Sequence, residues 1–287
     1  MLMRSVLFVP GNDEKKAAKA LTSPADAVTL DLEDAVAYHC KEQARQTVRR
    51  ILETKPARPV FIRINAADSP FILSDLQAVI DLPVRGLMLA KTSSAEQVGR
   101  VSWLMGLLEE AAGITPGTIP LLPFLETSAG ISQAREIAAA DRRVLTLALG
   151  GVDLSQEMGL NYPPESAGLL FARGALVTAC AAAGLLPPLD TVWPHIKDSA
   201  GLAEEARLAR RLGFGGKLII HPAQIDPVNQ AFSPTAAEID FARRVVEAFE
   251  QAEASGLAVI QLDGRLIEYP VVRRAQRLLG WLDSGTP

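Results

Sequence analysis

The chain has 287 residues, 29 Lys plus Arg against 33 Asp plus Glu, and a formal net charge of −4. Its 48% hydrophobic and 22% charged residues exclude extended disorder, and a mildly acidic total leaves no electrostatic footprint for nucleic acid. Two cysteines, Cys40 and Cys180, exclude a disulfide framework and a Cys-rich metal site and fit a cytoplasmic protein. No apolar run reaches the ~20 residues of a membrane span, and Met1–Arg4 leads straight into a strand-like run without a targeting segment.

Short apolar runs alternate with longer amphipathic ones. Ser5–Pro10 reads as a strand, Asp13–Leu21 as a helix, Asp26–Leu32 as a strand ending in acids and His39–Glu53 as a helix. The next pairs are Val60–Asn65 with Phe71–Ile80, Gly86–Lys91 with Ala95–Ala112, and Ile119–Glu126 with Ile131–Ala139. Trp103 is taken as a core position of its helix. Val144–Leu149 is a strand closed by Gly150-Gly151, and Pro164–Ala183 a long helix with proline at its start, where a missing N–H costs nothing. Leu189–Trp193, Leu202–Leu212 and Lys217–His221 complete eight strands separated by seven helices.

Such alternation predicts a parallel sheet with helical crossovers. Eight units ending near residue 221 match a closed (β/α)8 TIM barrel, typically about 250 residues, better than an open doubly wound sheet. No glycine-rich dinucleotide fingerprint follows the first strand. Residues 1–232 are read as the barrel and 233–287 as a C-terminal extension of helix, hairpin and helix. Its elements are Thr235–Ala254, a hairpin turning at Asp263-Gly264, and Val271–Leu282. The extension is expected to pack on its own barrel or on a neighbouring subunit.

Barrel chemistry sits at the C-terminal ends of the strands. Those ends carry Asp31, Glu33 and Asp34, then Arg63 and Asn65, Lys91, Glu126, Asp153 and His221. Glu126 and Asp153 follow adjacent strands, about 4.8 Å apart, and two carboxylates that close call for a cation or a shared proton. Mg²⁺ is the simplest solution, slightly ahead of plain helix capping. The turn Thr127–Gly130 opens a helix whose amides could hold a substrate carboxylate, although an ordinary N-cap is the commoner case.

Alternation puts Asp31 and Glu33 on one face, serving either metal-bound waters or a structural ion-pair network. Arg63 lies on an otherwise apolar strand and needs an anion. That anion is Glu33 or Asp34, or a substrate oxygen for which a planar guanidinium is suited; a substrate role is favoured, with the acids holding the arginine. Lys91 raises a Schiff-base option, but a salt bridge to strand-end acids is the better reading. Lys217, at the start of its strand, belongs to the opposite, stability face. His221 fits packing better than acid–base work, and His39 and His195 show no metal-ligand spacing.

Five segments carry a resemblance: Arg4–Asn12, Leu30–Val36, Ile62–Asn65, Phe124–Ile131 and Gly216–Gln224. In this order they resemble the citrate lyase β-subunit-like (CitE-like) proteins of the HpcH/HpaI aldolase superfamily, close to malyl-CoA and citramalyl-CoA lyases. The resemblance implies a Mg²⁺-dependent barrel that makes or breaks C–C bonds beside a thioester carbonyl. It implies Glu126 and Asp153 as metal ligands and Arg63 as the active-site arginine. Glu126, Ala129 and Gly130 would contact substrate, with Glu33 and Asp34 supporting from behind. Phe8 and Lys19 match positions that contact the nucleotide end of coenzyme A, while Asp13 stands where relatives carry an assisting arginine. Glu268 stands where malyl-CoA lyases carry a catalytic aspartate that reaches an adjacent subunit, which implies a homo-oligomer, a trimer or a multiple of one.

The expected activity is Mg²⁺-dependent cleavage of a 3-hydroxyacyl-CoA to acetyl-CoA and a 2-oxo acid. The alternatives are a citrate lyase β-subunit acting on an acyl-carrier-bound citryl thioester, a CoA-independent pyruvate aldolase, and a non-catalytic CoA-binding scaffold.

Overall fold

The computed structural model describes residues 3–160 and 167–283. The chain divides into two compact units, Met3–Phe232 and a second that starts at Ser233. In the first, eight parallel strands close into a barrel in sequence order: β1 (Ser5–Pro10), β2 (Ala27–Asp31), β3 (Val60–Ile64), β4 (Gly86–Leu89), β5 (Leu121–Leu125), β6 (Ala148–Leu149), β7 (Leu189–Asp190) and β8 (Gly216–Ile219). The (β/α)8 architecture is as expected. Val6, Phe61, Met88, Leu122, Ala148 and Leu218 fill the interior, and burying each of the larger side chains among them is worth roughly 1.5–3 kcal/mol. Outward-facing residues pack under the helices in one larger core. Among the described residues, no helix is long and apolar enough to cross a membrane.

Helix starts follow local chemistry. Asp13, Ser94 and Asp198 cap the helices Glu14–Leu21, Ala95–Ala111 and Ser199–Leu212 by accepting backbone N–H groups, as short polar side chains do at N-caps. The expected helix Ile131–Ala139 is instead two short ones, Ser128–Ser132 and Ala134–Ala138, parted at Gln133. Ser132 Oγ bonds back to the Ser128 carbonyl, a contact that bends helices. A helix over Gly151–Glu157 was not anticipated, because Gly150-Gly151 reads as a terminator. The long helix runs over Leu170–Ala182, preceded by a 3₁₀ turn at Ala167–Leu169; its expected start at Pro164 lies outside the described residues. Trp103 is not in the core: it is 68% exposed. The buried stripe of its helix is Val98, Val101, Ser102, Met105 and Glu109, which leaves position 103 on the far side of a 3.6-residue period.

The second unit has its own core of Val245, Phe249, Ile267 and Val272. The helix Ala236–Ala254 opens with a Thr235–Glu238 capping box. Strands β9 (Val259–Leu262) and β10 (Arg265–Glu268) form an antiparallel hairpin. Asp263 and Gly264 both have positive φ, 51° and 75°, as a two-residue type I′ turn requires. The helix Tyr269–Asp283 follows.

Candidate active site

Register places the central pair. Asp31 at the end of β2 lies directly opposite Arg63 on β3. Arg63 Nε donates to Asp31 Oδ1 at 2.8 Å and Nη2 to Oδ2 at 2.5 Å. This bidentate fork is the strong geometry for arginine and carboxylate. Asp31, rather than Glu33 or Asp34, is thus the main anchor of Arg63. Glu33 is second, with Oε2 3.4 Å from Nη1, and Asp34 turns to Lys91. Burial works against the charge on Arg63, but Asp31, Glu33 and Glu126 hold the guanidinium firmly ionised. Phe8 and Phe124 sit against it, their ring centroids 5.2 and 5.6 Å from Cζ, so Arg63 is held by a carboxylate along one edge and by two rings.

Glu126 follows β5 and is 1% exposed. Its Oε1 accepts the Lys91 backbone N–H at 2.7 Å. Burial pushes its carboxyl well above the usual glutamate range; Arg63 pulls it down, and Asp153, in side-chain contact, adds to the rise. Asp153 is half-buried in the first turn of Gly151–Glu157. The two acids therefore meet, as their strand-end positions predict. Gly150 packs directly against Glu126: a Cβ there would stand 2.3 Å from Glu126 Cβ and 2.7 Å from its Oε2, so only glycine lets the Glu126 side chain lie where it does. Gly151 N–H donates to Thr191 Oγ1 at 2.8 Å, which ties the turn carrying Asp153 to the end of β7.

Lys91 Nζ donates to Glu33 Oε1 at 2.6 Å and contacts Asp34 Oδ1 at 3.2 Å. Despite partial burial, these acids raise its pKa and keep it charged. Burial raises Glu33, against the pull of Arg63 and Lys91. Asp34 ends below its usual range: burial opposes this, but its contacts with Glu33 and Lys91 win. Behind them, buried Lys41 donates to the Leu32 and Glu33 carbonyls and to Asn65 Oδ1. Lys41 and Thr191 were missed from sequence, and neither type nor spacing marks them out. The Asp31–Arg63 pair could have been found by counting register.

The turn at 127–130 is more occupied than expected. Gly130 N–H is capped by Thr127 Oγ1 and Ser128 N–H is taken by Glu157 Oε2, so the amides flanking Ala129 are engaged. Phe8, Lys16, Lys19 and His221 border a cavity of about 450 Å³ between the ends of β1 and β8. Phe8 therefore reaches both this cavity and Arg63, and Asp13 holds Lys16 Nζ at 3.0 Å. His221 Nδ1 accepts the Ala223 N–H, a turn-forming contact. Glu268 ends β10, exposed, opposite Val259.

The sequence model of the HpcH/HpaI aldolase/citrate lyase family matches residues 4–222. The chain belongs to that family. It is 38% identical to the citrate lyase subunit beta of Escherichia coli K12, over 96% of this chain and 92% of that protein. A (3S)-malyl-CoA thioesterase of Cereibacter sphaeroides is 37% identical over 92% and 89%. The crystal structure of CitE from Mycobacterium tuberculosis, in complex with magnesium, acetoacetate and coenzyme A, superposes with a TM-score of 0.80 at 31% identity and covers 97% of both chains. The chain is thus an enzyme of the aldolase and lyase class, citrate lyase β-like.

Proposed function

We propose that the chain is a Mg²⁺-dependent carbon–carbon lyase acting on a 3-hydroxyacyl-CoA of the malyl-, citramalyl- or citryl-CoA type, releasing acetyl-CoA and a 2-oxo acid. The observation that carries this reading is a charged Arg63, locked by Asp31, within electrostatic reach of Glu126, which in turn meets Asp153. The acids suit magnesium. They are hard oxygen donors, and they are costly to ionise together without a cation. Among the described residues no three His, Cys, Asp or Glu side chains are arranged to hold a metal by themselves, and Mg²⁺ is commonly held by one or two carboxylates plus water and substrate oxygens.

A bound ion would supply Lewis acidity to the substrate's carboxylate and hydroxyl oxygens and lower the hydroxyl pKa. Arg63 would donate to the thioester oxygen through Nη1, since Asp31 fixes the other two nitrogens and Glu33 Oε2 approaches Nη1 only to 3.4 Å. The hydroxyl would give up its proton to solvent and become the carbonyl of the 2-oxo acid as the C–C bond breaks. The electron pair of that bond would pass to the thioester enolate, whose oxygen the guanidinium would stabilise. Glu268 would deliver the proton to the enolate carbon, and take it in the condensation direction. On the hairpin, Glu268 and Val259 share the face that also carries Leu266 and Gln261, opposite to buried Ile267. A carboxylate flanked by exposed Val259 and Leu266 suits docking on a second copy, which supports a homo-oligomer, a trimer in this reading, with Glu268 serving the neighbour. Ala129, between two engaged amides, and Gly130 would border the substrate, while Phe8 and Lys19 would meet coenzyme A.

A second reading, a citrate lyase β-subunit acting on an acyl-carrier thioester, is favoured by Asp13. Its pairing with Lys16 weakens the cationic rim that a nucleotide phosphate would use. The test offers malyl-, citramalyl- and citryl-CoA, and the same acyl groups on an acyl carrier, with Mg²⁺ and after EDTA. The expected result is a 2-oxo acid from a CoA ester, lost in EDTA. Full activity in EDTA, or release of free CoA without a 2-oxo acid, overturns the lyase reading.

A further inference from the structure

Lys91 interrupts the ladder at the end of β4. Leu87 N–H points to the β5 side, bonding Pro120 O at 2.9 Å, and Ala90 N–H points to β3, bonding Ile64 O at 3.2 Å. Amides alternate between neighbours along a strand, so the Lys91 N–H should return to β5. Thr92 N–H takes that place instead, on Phe124 O at 3.0 Å. Lys91 is the extra residue of a bulge, with φ +50°, a conformation that residues with a side chain avoid. Bulges recur beside active sites because they re-aim groups. This one turns the spare N–H onto Glu126 Oε1.

The side chain of the same residue serves the other half of the site. Its ammonium is 2.6 Å from Glu33 Oε1, while Glu33 Oε2 is 3.4 Å from Arg63 Nη1. Glu33 thus lies between two cations, and Lys91 is the nearer. Without it, the Arg63 nitrogen that Asp31 leaves over would be the closest ion-pair partner of Glu33.

We infer that Lys91 is a positioning residue with two separable parts: its strained backbone amide aims Glu126, and its ammonium draws Glu33 away from Arg63 Nη1, keeping that nitrogen for substrate. The inference rests on the lyase reading. Three variants separate the parts. Lys91→Gly adopts φ +50° without strain, keeps the amide and deletes the ammonium. Lys91→Val deletes both, because a β-branched residue resists this φ. Lys91→Arg restores the charge.

The experiment measures Mn²⁺ binding to metal-free protein by calorimetry, kcat and KM with the best thioester, and thermal unfolding as a check of folding. Lys91→Gly should bind Mn²⁺ within about threefold of wild type and lose about 10–100-fold in kcat, the usual scale for removing a supporting contact. Lys91→Arg should recover most of that loss, and Lys91→Val should bind Mn²⁺ at least about tenfold more weakly than Lys91→Gly. Wild-type kcat in Lys91→Gly overturns the role of the ammonium. Equal Mn²⁺ affinity in folded Lys91→Val and Lys91→Gly overturns the role of the backbone, and if Lys91→Val does not fold, weakened Mn²⁺ binding by Lys91→Gly does so. A wild type that binds Mn²⁺ but cleaves no thioester removes the lyase reading while the Gly–Val comparison still decides the backbone part; a wild type that binds no ion overturns both.

Discussion

Two ion clusters in the barrel unit, one buried and one partly open to solvent, differ in a way that separates structure from chemistry. Between the strand wall and the helices, Arg173 and Lys217 meet Asp190 and Glu205 with contacts of 2.6–3.2 Å, all four at most 4% exposed. Each acid bonds both cations, and the charges cancel. At the strand ends, Asp31, Glu33, Asp34 and Glu126 lie around Arg63 and Lys91, and Asp153 meets Glu126. Nearby Lys41 directs its ammonium to carbonyl and amide oxygens. Burying charge is tolerable only when it is compensated. The first cluster is closed in itself, and the second carries an excess of negative charge that a divalent ion or an anion-binding arginine can use.

The largest expected effect is at the uncompensated end. Glu126→Gln should abolish Mg²⁺-dependent cleavage without unfolding the protein. Burial raises the Glu126 pKa, so its folded value lies above the unfolded one. Such a group favours the fold fully below the unfolded value, near pH 4.3, and that contribution is lost as pH rises through the folded value. Metal-free Glu126→Gln should therefore melt above metal-free wild type at neutral pH, with the gap closing towards about pH 4. A lower Tm for the variant at pH 7 would contradict the excess-charge account.

Next is Glu268, on the second unit. Acid–base help is typically worth about 10²–10⁴-fold, so Glu268→Gln should lower kcat by about that factor with little change in KM. Glu268→Asp tests the extra methylene. Mixing inactive Arg63→Ala and Glu268→Gln subunits should restore part of the activity where one interface combines both intact residues. No recovery despite proven subunit exchange would place the two residues in one subunit's site.

The balanced cluster should respond in stability alone. Asp190→Asn leaves Lys217 and Arg173 undercompensated in a fully buried place, at a cost of about 3–5 kcal/mol. Cleavage by the folded variant at low temperature should be retained. Although burial opposes it, Lys217 and then Arg173 hold Asp190 below its ordinary range. A lowered folded pKa gives stability that is present above the unfolded value and lost as pH falls through the folded one. The wild-type advantage should thus be flat from about pH 7 to 5 and shrink below about pH 4, opposite in sign to Glu126. Denaturant unfolding of both pairs across pH measures the two slopes directly.

What could be read from the sequence follows from the same physics. The barrel was legible because buried parallel strands are short apolar runs between amphipathic helices. Strand ends were less so: β6 and β7 are paired over only two residues each, although their apolar runs are longer. Side chains at the strand ends were legible by position, and Glu126, Asp153, Arg63 and Lys91 do converge. Their partners were only partly so. Asp31 rather than Glu33 anchors Arg63 because register sets the two opposite, which composition does not show. The left-handed Lys91 had no signal, since nothing in its residue type favours φ +50°.

The smallest expected effect is none, and it bears on what the cations of the open cluster are for. A Schiff base needs a neutral amine to attack a carbonyl. Lys91 lies against Glu33 and Asp34, and both hold it charged. A lysine primed for imine formation is instead desolvated or set beside another cation, either of which lowers its pKa. Borohydride treatment in the presence of a 2-oxo acid should therefore leave the protein mass unchanged, in wild type and in Glu126→Gln alike. The variant matters because without a competent metal site a covalent route would be the remaining one. A stable adduct mapped to Lys91 would mean that Glu33 and Asp34 release the amine when substrate binds, and the strand-end cluster would then be an aldolase site of the Schiff-base kind rather than one organised around Glu126 and Asp153.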